Sequence, residues 1–210
     1  MKFDVERYLG AVDRKVVALE KDGKPARAVV LARNYDTSVE DLWDALTSPE
    51  RLPRWFAPVT GDFKIGGAYQ VKGNAGGTIT ECKPPELLAL TWEMGPAVSW
   101  VEARVAEAGT GVSRLTLTHT AHVSPHWEQF GPGAVGVGWE LGLLGLALYL
   151  ENPDAEKPDE NTFGMSPDGK AFSRGSANRW GDAEIDAGEK PEAAKTRAKN
   201  TGDFYTGETS

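Results

Sequence analysis

Between residues 131 and 150 the chain carries a single charge, Glu140, in a stretch otherwise made of Leu, Val, Ala, Gly, one Pro and aromatic residues. A segment of this kind leaves few options. About 20 apolar residues can span a bilayer as a helix, and a helix apolar on all sides is buried in either lipid or a protein core. Here Pro132 and six glycines interrupt the run, Glu140 lies near its middle, and Glu151, Asp154 and Glu156 follow it. A central carboxylate is costly in hydrocarbon. The run therefore predicts a buried core helix over residues 133–151, with Trp139, Leu143 and Leu146 facing inward, and no membrane insertion.

Such a helix needs an apolar surface to cover. Upstream lie short, β-branched and aromatic segments at 28–35, 68–72, 78–82, 87–93, 98–106 and 113–122, which read as strands. Gly66-Gly67 and Gly76-Gly77 read as hairpin turns, and Pro84-Pro85 and residues 108–111 separate neighbours. Consecutive strands joined by short loops predict an antiparallel meander. Between the first two strands, Ser38 caps a helix that buries Leu42, Trp43 and Leu46, and Ser48-Pro49-Glu50 opens a second short helix through Trp55. Residues 1–26 are polar and mixed, with a turn at Asp22-Gly23. After residue 151 the composition changes. Residues 152–162 read as an acidic linker. Ser166-Pro167-Asp168 then caps a helix to about Ala187, and Lys190-Pro191-Glu192 opens another to about Thr201, with Phe172, Trp180, Phe204 and Tyr205 available to dock them. The expected organisation is an N-terminal segment (1–26), a main domain (27–151), a linker (152–162) and a helical extension (163–210).

Charge and cysteine usage exclude several roles. The formal net charge is −8, and no local basic run offsets it, so neither nucleic acid nor an anionic membrane surface is an expected partner. Cys82 stands alone, which suits a reducing compartment. The charged start MKFDVERYLG lacks the apolar run of a signal peptide, so the expected location is cytoplasmic.

The runs NYDTSVEDLWDALTSPERLPRWFAPV, KIGGAY, GGTITECKPPELLALTWE, SRLTLTHTA and GVGWELGLLGLALYL together resemble the SRPBCC superfamily. Within it they are most similar to the group related to the C-terminal domain of the activator of heat-shock-protein-90 ATPase. The resemblance covers about residues 27–151; the extension is of a kind seen in a bacterial, actinobacterial subgroup. It implies an α+β helix-grip fold, a curved antiparallel sheet against a long C-terminal helix, with an apolar cavity between them. Members bind lipids, hormones or polyketides, and a few are cyclases or hydroxylases, so fold does not fix activity.

Strand alternation sorts the candidate residues. Leu115, Leu117, His119 and Ala121 share a face, as do Leu88, Leu90 and Trp92; Ile79 and Glu81; and Trp100, Glu102 and Arg104. His119 reads as a hydrogen-bonded core histidine, with a base or ligand-orienting donor as the sharper alternative. His122 has the opposite parity, and no Cys or acidic cluster completes a ligand set, so no metal and no cofactor is expected. Glu140 faces a cavity, faces solvent, or pairs with a cation from the extension. The glycine-rich stretches GNAGG and GPGAVGVG lack phosphate-loop or dinucleotide spacing. The candidates for a ligand cavity are Trp43, Trp55, Phe56, Phe63, Tyr69, Glu81, Trp92, Trp100, Glu102, His119, Trp139, Glu140 and Leu143. No residue is assigned as catalytic. The reading is a binding module for an apolar small molecule, monomeric or homodimeric. The alternatives are a cyclase- or hydrolase-like enzyme using His119, and a chaperone-linked interaction domain.

Overall fold

A computed structural model describes residues 3–208. In chain order the elements are α1 (Val5–Gly10), β1 (Val12–Lys21), β2 (Lys24–Tyr35), α2 (Val39–Thr47), α3 (Leu52–Trp55), β3 (Val59–Gly61), β4 (Ala68–Val71), β5 (Gly76–Lys83), β6 (Leu87–Met94), β7 (Ala97–Gly109), β8 (Val112–His122), α4 (Pro125–Phe130), α5 (Gly133–Glu151), α6 (Glu160–Met165), α7 (Pro167–Asp186) and α8 (Pro191–Thr206). The strands form one open sheet in the order β1-β2-β8-β7-β6-β5-β4-β3. The neighbours from β3 to β8 pair antiparallel. The class is α+β, of the helix-grip type.

The chain divides into two compact units, with boundaries inside β2, at the last residue of β8, inside α5 and after Lys157. The first combines the residues up to Leu31, His122–Leu144, and those from Pro158 onward. In it α1 and β1 pack against α7. Trp180 of α7 lies so close to Gly136 of α5 that a Cβ there would sit 2.3 Å from the indole. Gly175 admits the Leu9 side chain in the same way. Around this apolar seam, Thr201 donates to the Phe130 carbonyl, Tyr205 to the Ala134 carbonyl and Asn200 to the Gln129 carbonyl. Arg197 holds Glu128, Glu184 and Glu189 together. Burial pushes the Glu184 carboxyl above its ordinary range, and Arg197 opposes that. Helices α7 and α8 thus pack on their own chain, and both α6 and α7 begin on a capping side chain, Asp159 and Ser166.

The second unit comprises Ala32–Ala121 and Gly145–Lys157. Ser38 caps α2 by accepting the Asp41 N–H. Trp55 of α3 donates its indole N–H to the Ala45 carbonyl, 2.9 Å away. Gly145 brings α5 so near the Trp55 carbonyl that a Cβ would lie 2.5 Å from it. Arg51 reaches Tyr149 at 2.9 Å and also binds Asp41 and Asp44. Thr37 and Arg51 together hold the Asp41 carboxyl below its ordinary range, against the opposing effect of burial.

Several elements differ from the sequence expectation. The first strand is β1, not the segment at 28–35, and it forms a hairpin with β2 through Asp22 and Gly23, both at positive φ. Its alternation of Val12 and Val16 with charged residues leaves it only weakly apolar. Gly76-Gly77 is not a turn. It opens β5, where a side chain on Gly77 would meet the Thr91 carbonyl oxygen at 2.2 Å; Gly is needed there for close strand approach. The short helix before Trp55 starts at Leu52, leaving Pro49 in the preceding turn. A further helix, α4, capped by Ser124, follows β8. Helix α8 continues to Thr206, beyond the expected end near Thr201.

Helix α5 is long and apolar enough to cross a membrane by length and composition. It nevertheless buries Val137, Glu140, Leu143, Leu144, Leu146 and Ala147 within the protein, while Trp139 is half-buried. Glu140, 1% exposed, neither faces solvent nor pairs with the extension. Its partner is Arg14 of β1, whose Nε and one terminal nitrogen each lie 2.6 Å from a carboxylate oxygen. Arg14 also donates to the Val12 and Leu9 carbonyls. A buried carboxylate requires such pairing.

Candidate functional site

The strand register of the second unit divides the candidates between two faces. Leu88 lies opposite Ala103, Leu90 opposite Val101 and Trp92 opposite Ser99. Across the next pair, Val101 lies opposite His119, Ala103 opposite Leu117 and Val105 opposite Leu115. Side chains directly opposite in a sheet share a face, so these residues form one surface, which contains the buried Val101, Val105, Leu115 and Leu117. We call it the inner face. Trp100, Glu102 and Arg104 lie on the other face with Thr116, Thr118 and Thr120. There Arg104 and Glu102 form an ion pair at 2.6 Å.

Parity along β5 is broken once. A register shift between Ile79 and Glu81 places Ile79 opposite Leu90 but Cys82, not Glu81, opposite Leu88. A bulge inserts one residue and flips everything after it. Glu81 is therefore not on the face of Ile79 as simple alternation requires. It stands outward beside Lys83, which holds its carboxyl below the ordinary range. Cys82 takes the inward position.

On the inner face, Tyr69, Val71 and Ile79 form a buried cluster, with Phe56, Ala57, Val59, Cys82, Leu88, Leu90 and Trp92 packed against it. Trp55 adjoins Phe56, ring centroids 5.5 Å apart. The Tyr69 hydroxyl donates to the Thr91 carbonyl at 2.6 Å, and burial raises the pKa of the phenol well above its ordinary value. The peripheral members of this surface, from Phe56 and Val59 through Cys82 to Leu88, Leu90 and Trp92, remain only partly covered.

His119 is 5% exposed, on the same face as Leu115 and Leu117. Its ring meets Trp92 edge-on, centroids 6.5 Å apart. Nε2 lies 2.8 Å from the Ser99 hydroxyl oxygen, and that hydroxyl is 3.0 Å from the Trp92 carbonyl oxygen. Ser99 has one proton to give. Donated to the carbonyl, it leaves the oxygen as acceptor for the ring N–H, which fixes the Nε2–H tautomer. Burial lowers the imidazole pKa to about 4, so the ring is neutral at pH 7.

The structure thus brings together Trp55, Phe56, Tyr69, Trp92 and His119. It sends Glu81, Trp100 and Glu102 to the other face, and leaves Phe63 in the β3–β4 loop, 48% exposed. Trp43 sits half-buried on α2. Trp139, Glu140 and Leu143 belong to the first unit. Sequence reasoning missed Ser99 and Cys82. The hairpin register would have found Ser99, two residues before Val101 and so on its face; the bulge that turns Cys82 inward has no sequence mark. Among the described residues no cluster of three or more His, Cys, Asp or Glu is arranged to hold a metal ion.

An antiparallel sheet of this order, with α2 and α3 inserted after β2 and a long helix after the last strand, defines an SRPBCC-type helix-grip domain. More narrowly, the chain belongs to the family described as Activator of Hsp90 ATPase homolog 1-like protein, which matches residues 36–151, over half its length. No curated protein sequence matches the chain. Among solved structures, CalU16 from Micromonospora echinospora is 29% identical. Its solution structure aligns with a TM-score of 0.71, covering 84% of this chain and 97% of CalU16. Its crystal structure gives 0.68, covering 82% and 98%. That likeness therefore reaches beyond residues 36–151. EF2215, a conserved protein of unknown function from Enterococcus faecalis, shares the fold at 16% identity, TM-score 0.59, covering 88% of this chain and 96% of that one. So does the Aha1 dimer from Colwellia psychrerythraea, at 15% identity, TM-score 0.53, covering 61% and 98%.

Proposed function

We propose that this protein is a binding module for a small apolar molecule, held on the inner face of the second unit. One observation carries the reading. Phe56, Leu88, Leu90 and Trp92 are packed into a continuous apolar surface and yet remain partly uncovered. Ligand sites are concave surfaces of this composition, with a few placed polar groups. The enzyme reading is weaker, because a general base works best with a pKa near the working pH, whereas that of His119 is lowered to about 4. Trp55, Phe56, Tyr69, Trp92 and His119 are the proposed contact residues.

Cys82 provides the test, since it shares this surface and is half-buried. Nile red, a neutral apolar dye, should bind saturably and slow alkylation of Cys82 by iodoacetamide. Leu90→Ser should weaken the dye, and Thr118→Ser on the other face should not. If the dye fails to saturate, or Cys82 reacts equally fast with and without it, the proposal is wrong.

A further inference from the structure

We propose that Ser99 determines the specificity of this site, and that its ligand is an apolar ring system bearing a hydroxyl group that donates a hydrogen bond to the Ser99 oxygen. The inference rests on the binding reading above and narrows its ligand class.

Hydrogen-bonding side chains on the inner face are few: besides Ser99 they are the Tyr69 hydroxyl, the Trp92 indole N–H, the His119 ring and the Cys82 thiol. Leu88, Leu90, Val101, Ala103, Val105, Leu115 and Leu117 offer no polar side-chain atom. The Tyr69 hydroxyl is turned to the Thr91 carbonyl. A thiol, as in Cys82, is at best a weak partner. Ser99 differs. Its proton goes to the Trp92 carbonyl and one lone pair takes the His119 N–H, at 3.0 and 2.8 Å. A hydroxyl oxygen has two lone pairs, so one acceptor position remains, and Ser99 is half-buried rather than sealed. Its donor is already committed. The oxygen can therefore receive a hydrogen bond from a ligand but cannot give one without breaking the contact to Trp92. A ligand carrying a hydroxyl satisfies it; an ether or ketone of the same shape does not. Selection against a carboxylate follows from the same arrangement: a carboxylate is only an acceptor, and His119, neutral at pH 7, brings it no positive charge.

The position fits selection as well as capacity. Ser99 sits near the start of β7, two residues from the end that bears the exposed side chains of Met94 and Val98. The apolar body of a ligand would lie along Leu90, Trp92 and Ile79, with its hydroxyl at this end of the sheet. His119 also positions the oxygen, through the 2.8 Å contact of its Nε2.

The test compares two probes of nearly equal apolar surface, 2-naphthol, which donates a hydrogen bond, and 2-methoxynaphthalene, which cannot. Both are measured by displacement of Nile red from the full-length protein. A site with a dedicated hydrogen bond discriminates strongly against the analogue lacking it, so 2-naphthol should bind about tenfold more tightly. Ser99→Ala should abolish that preference and leave 2-methoxynaphthalene unchanged. Ser99→Thr, which keeps the hydroxyl, should restore the preference; this separates ligand recognition from any general loosening caused by removing the partner of His119. Equal displacement by the two probes, displacement by neither, or a preference that survives Ser99→Ala overturns the inference while the binding module stands. Absence of Nile red binding would remove both.

Discussion

Replacing Arg14 by methionine removes the cation paired with Glu140. The carboxylate side chain is fully buried and the guanidinium 7% exposed. Two hydrogen bonds of 2.6 Å join them, and two more tie Arg14 to the carbonyls of Val12 and Leu9. Breaking a buried pair by deleting one partner strands the other charge in a medium that cannot solvate it, at a cost of about 3–5 kcal/mol. For a chain of this size that corresponds to a fall in Tm of roughly 6–20 °C. Removing both charges is different: an apolar pair of similar volume avoids desolvation altogether, so Arg14→Met combined with Glu140→Met should lie within about 2 kcal/mol of the wild type. The assay is urea unfolding followed by circular dichroism on the wild type, both single variants and the double variant. The diagnostic quantity is the coupling energy of the cycle, expected to exceed about 2 kcal/mol. A loss below about 1 kcal/mol in Arg14→Met, or a double variant as unstable as the sum of the singles, would show that the pair is not sealed from water and that the reasoning fails.

Two further outcomes can be measured with the same equipment. Gly136→Ala forces a methyl into the Trp180 indole at 2.3 Å and should cost about 1–3 kcal/mol, whereas Gly142→Ala on the same helix meets nothing within 4 Å and should stabilise by about 0.5–1 kcal/mol; equal effects would contradict the packing of α7 on α5. The folded pKa of His119, about 4, lies below its unfolded value near 6.5, so the unfolded chain takes up the proton first. This stability contribution is complete above pH 6.5 and is lost as the pH falls towards 4, by about 3 kcal/mol in all; His119→Asn should flatten that part of the pH profile, and an unchanged slope in the variant would assign the loss to other groups.

The parts of this fold that could be read from sequence are those governed by local rules. The strand alternation around Leu115 and Leu117 placed His119 inside, and an apolar run with one charge marked α5. Ser38 and Ser166, followed by acidic first turns, marked the starts of α2 and α7. What could not be read depends on partners far along the chain or on irregular register. Arg14 and Glu140 are 126 residues apart, and nothing around Arg14, in a strand dense with charges, marks it as the partner of Glu140. Strand β1 carries too many charges to stand out, although its Val12 and Val16 are buried. The bulge after Ile79 reverses the inward and outward assignment of Glu81 and Cys82, although their sequence neighbourhood is unremarkable. Ser99, a small polar residue on an ordinary strand, becomes conspicuous only once the β6–β7–β8 register sets it beside Trp92 and His119.

The packing of α1 and β1 against α7 has a consequence for the order in which the protein acquires its shape during synthesis. Most of the second unit is one uninterrupted stretch, Ala32–Ala121, and can condense as it leaves the ribosome. The first unit cannot. Glu6 meets Arg179 across 173 residues of chain, and Leu9, fully buried in the finished protein, waits for Gly175. At about 5–20 residues per second, the first helix stays without its partner for roughly 9–35 s while the sheet forms behind it. Nascent chains halted before residue 167 would therefore present Leu9 and the bare flank of α5 to chaperones, and release of α7 and α8 would end that exposure.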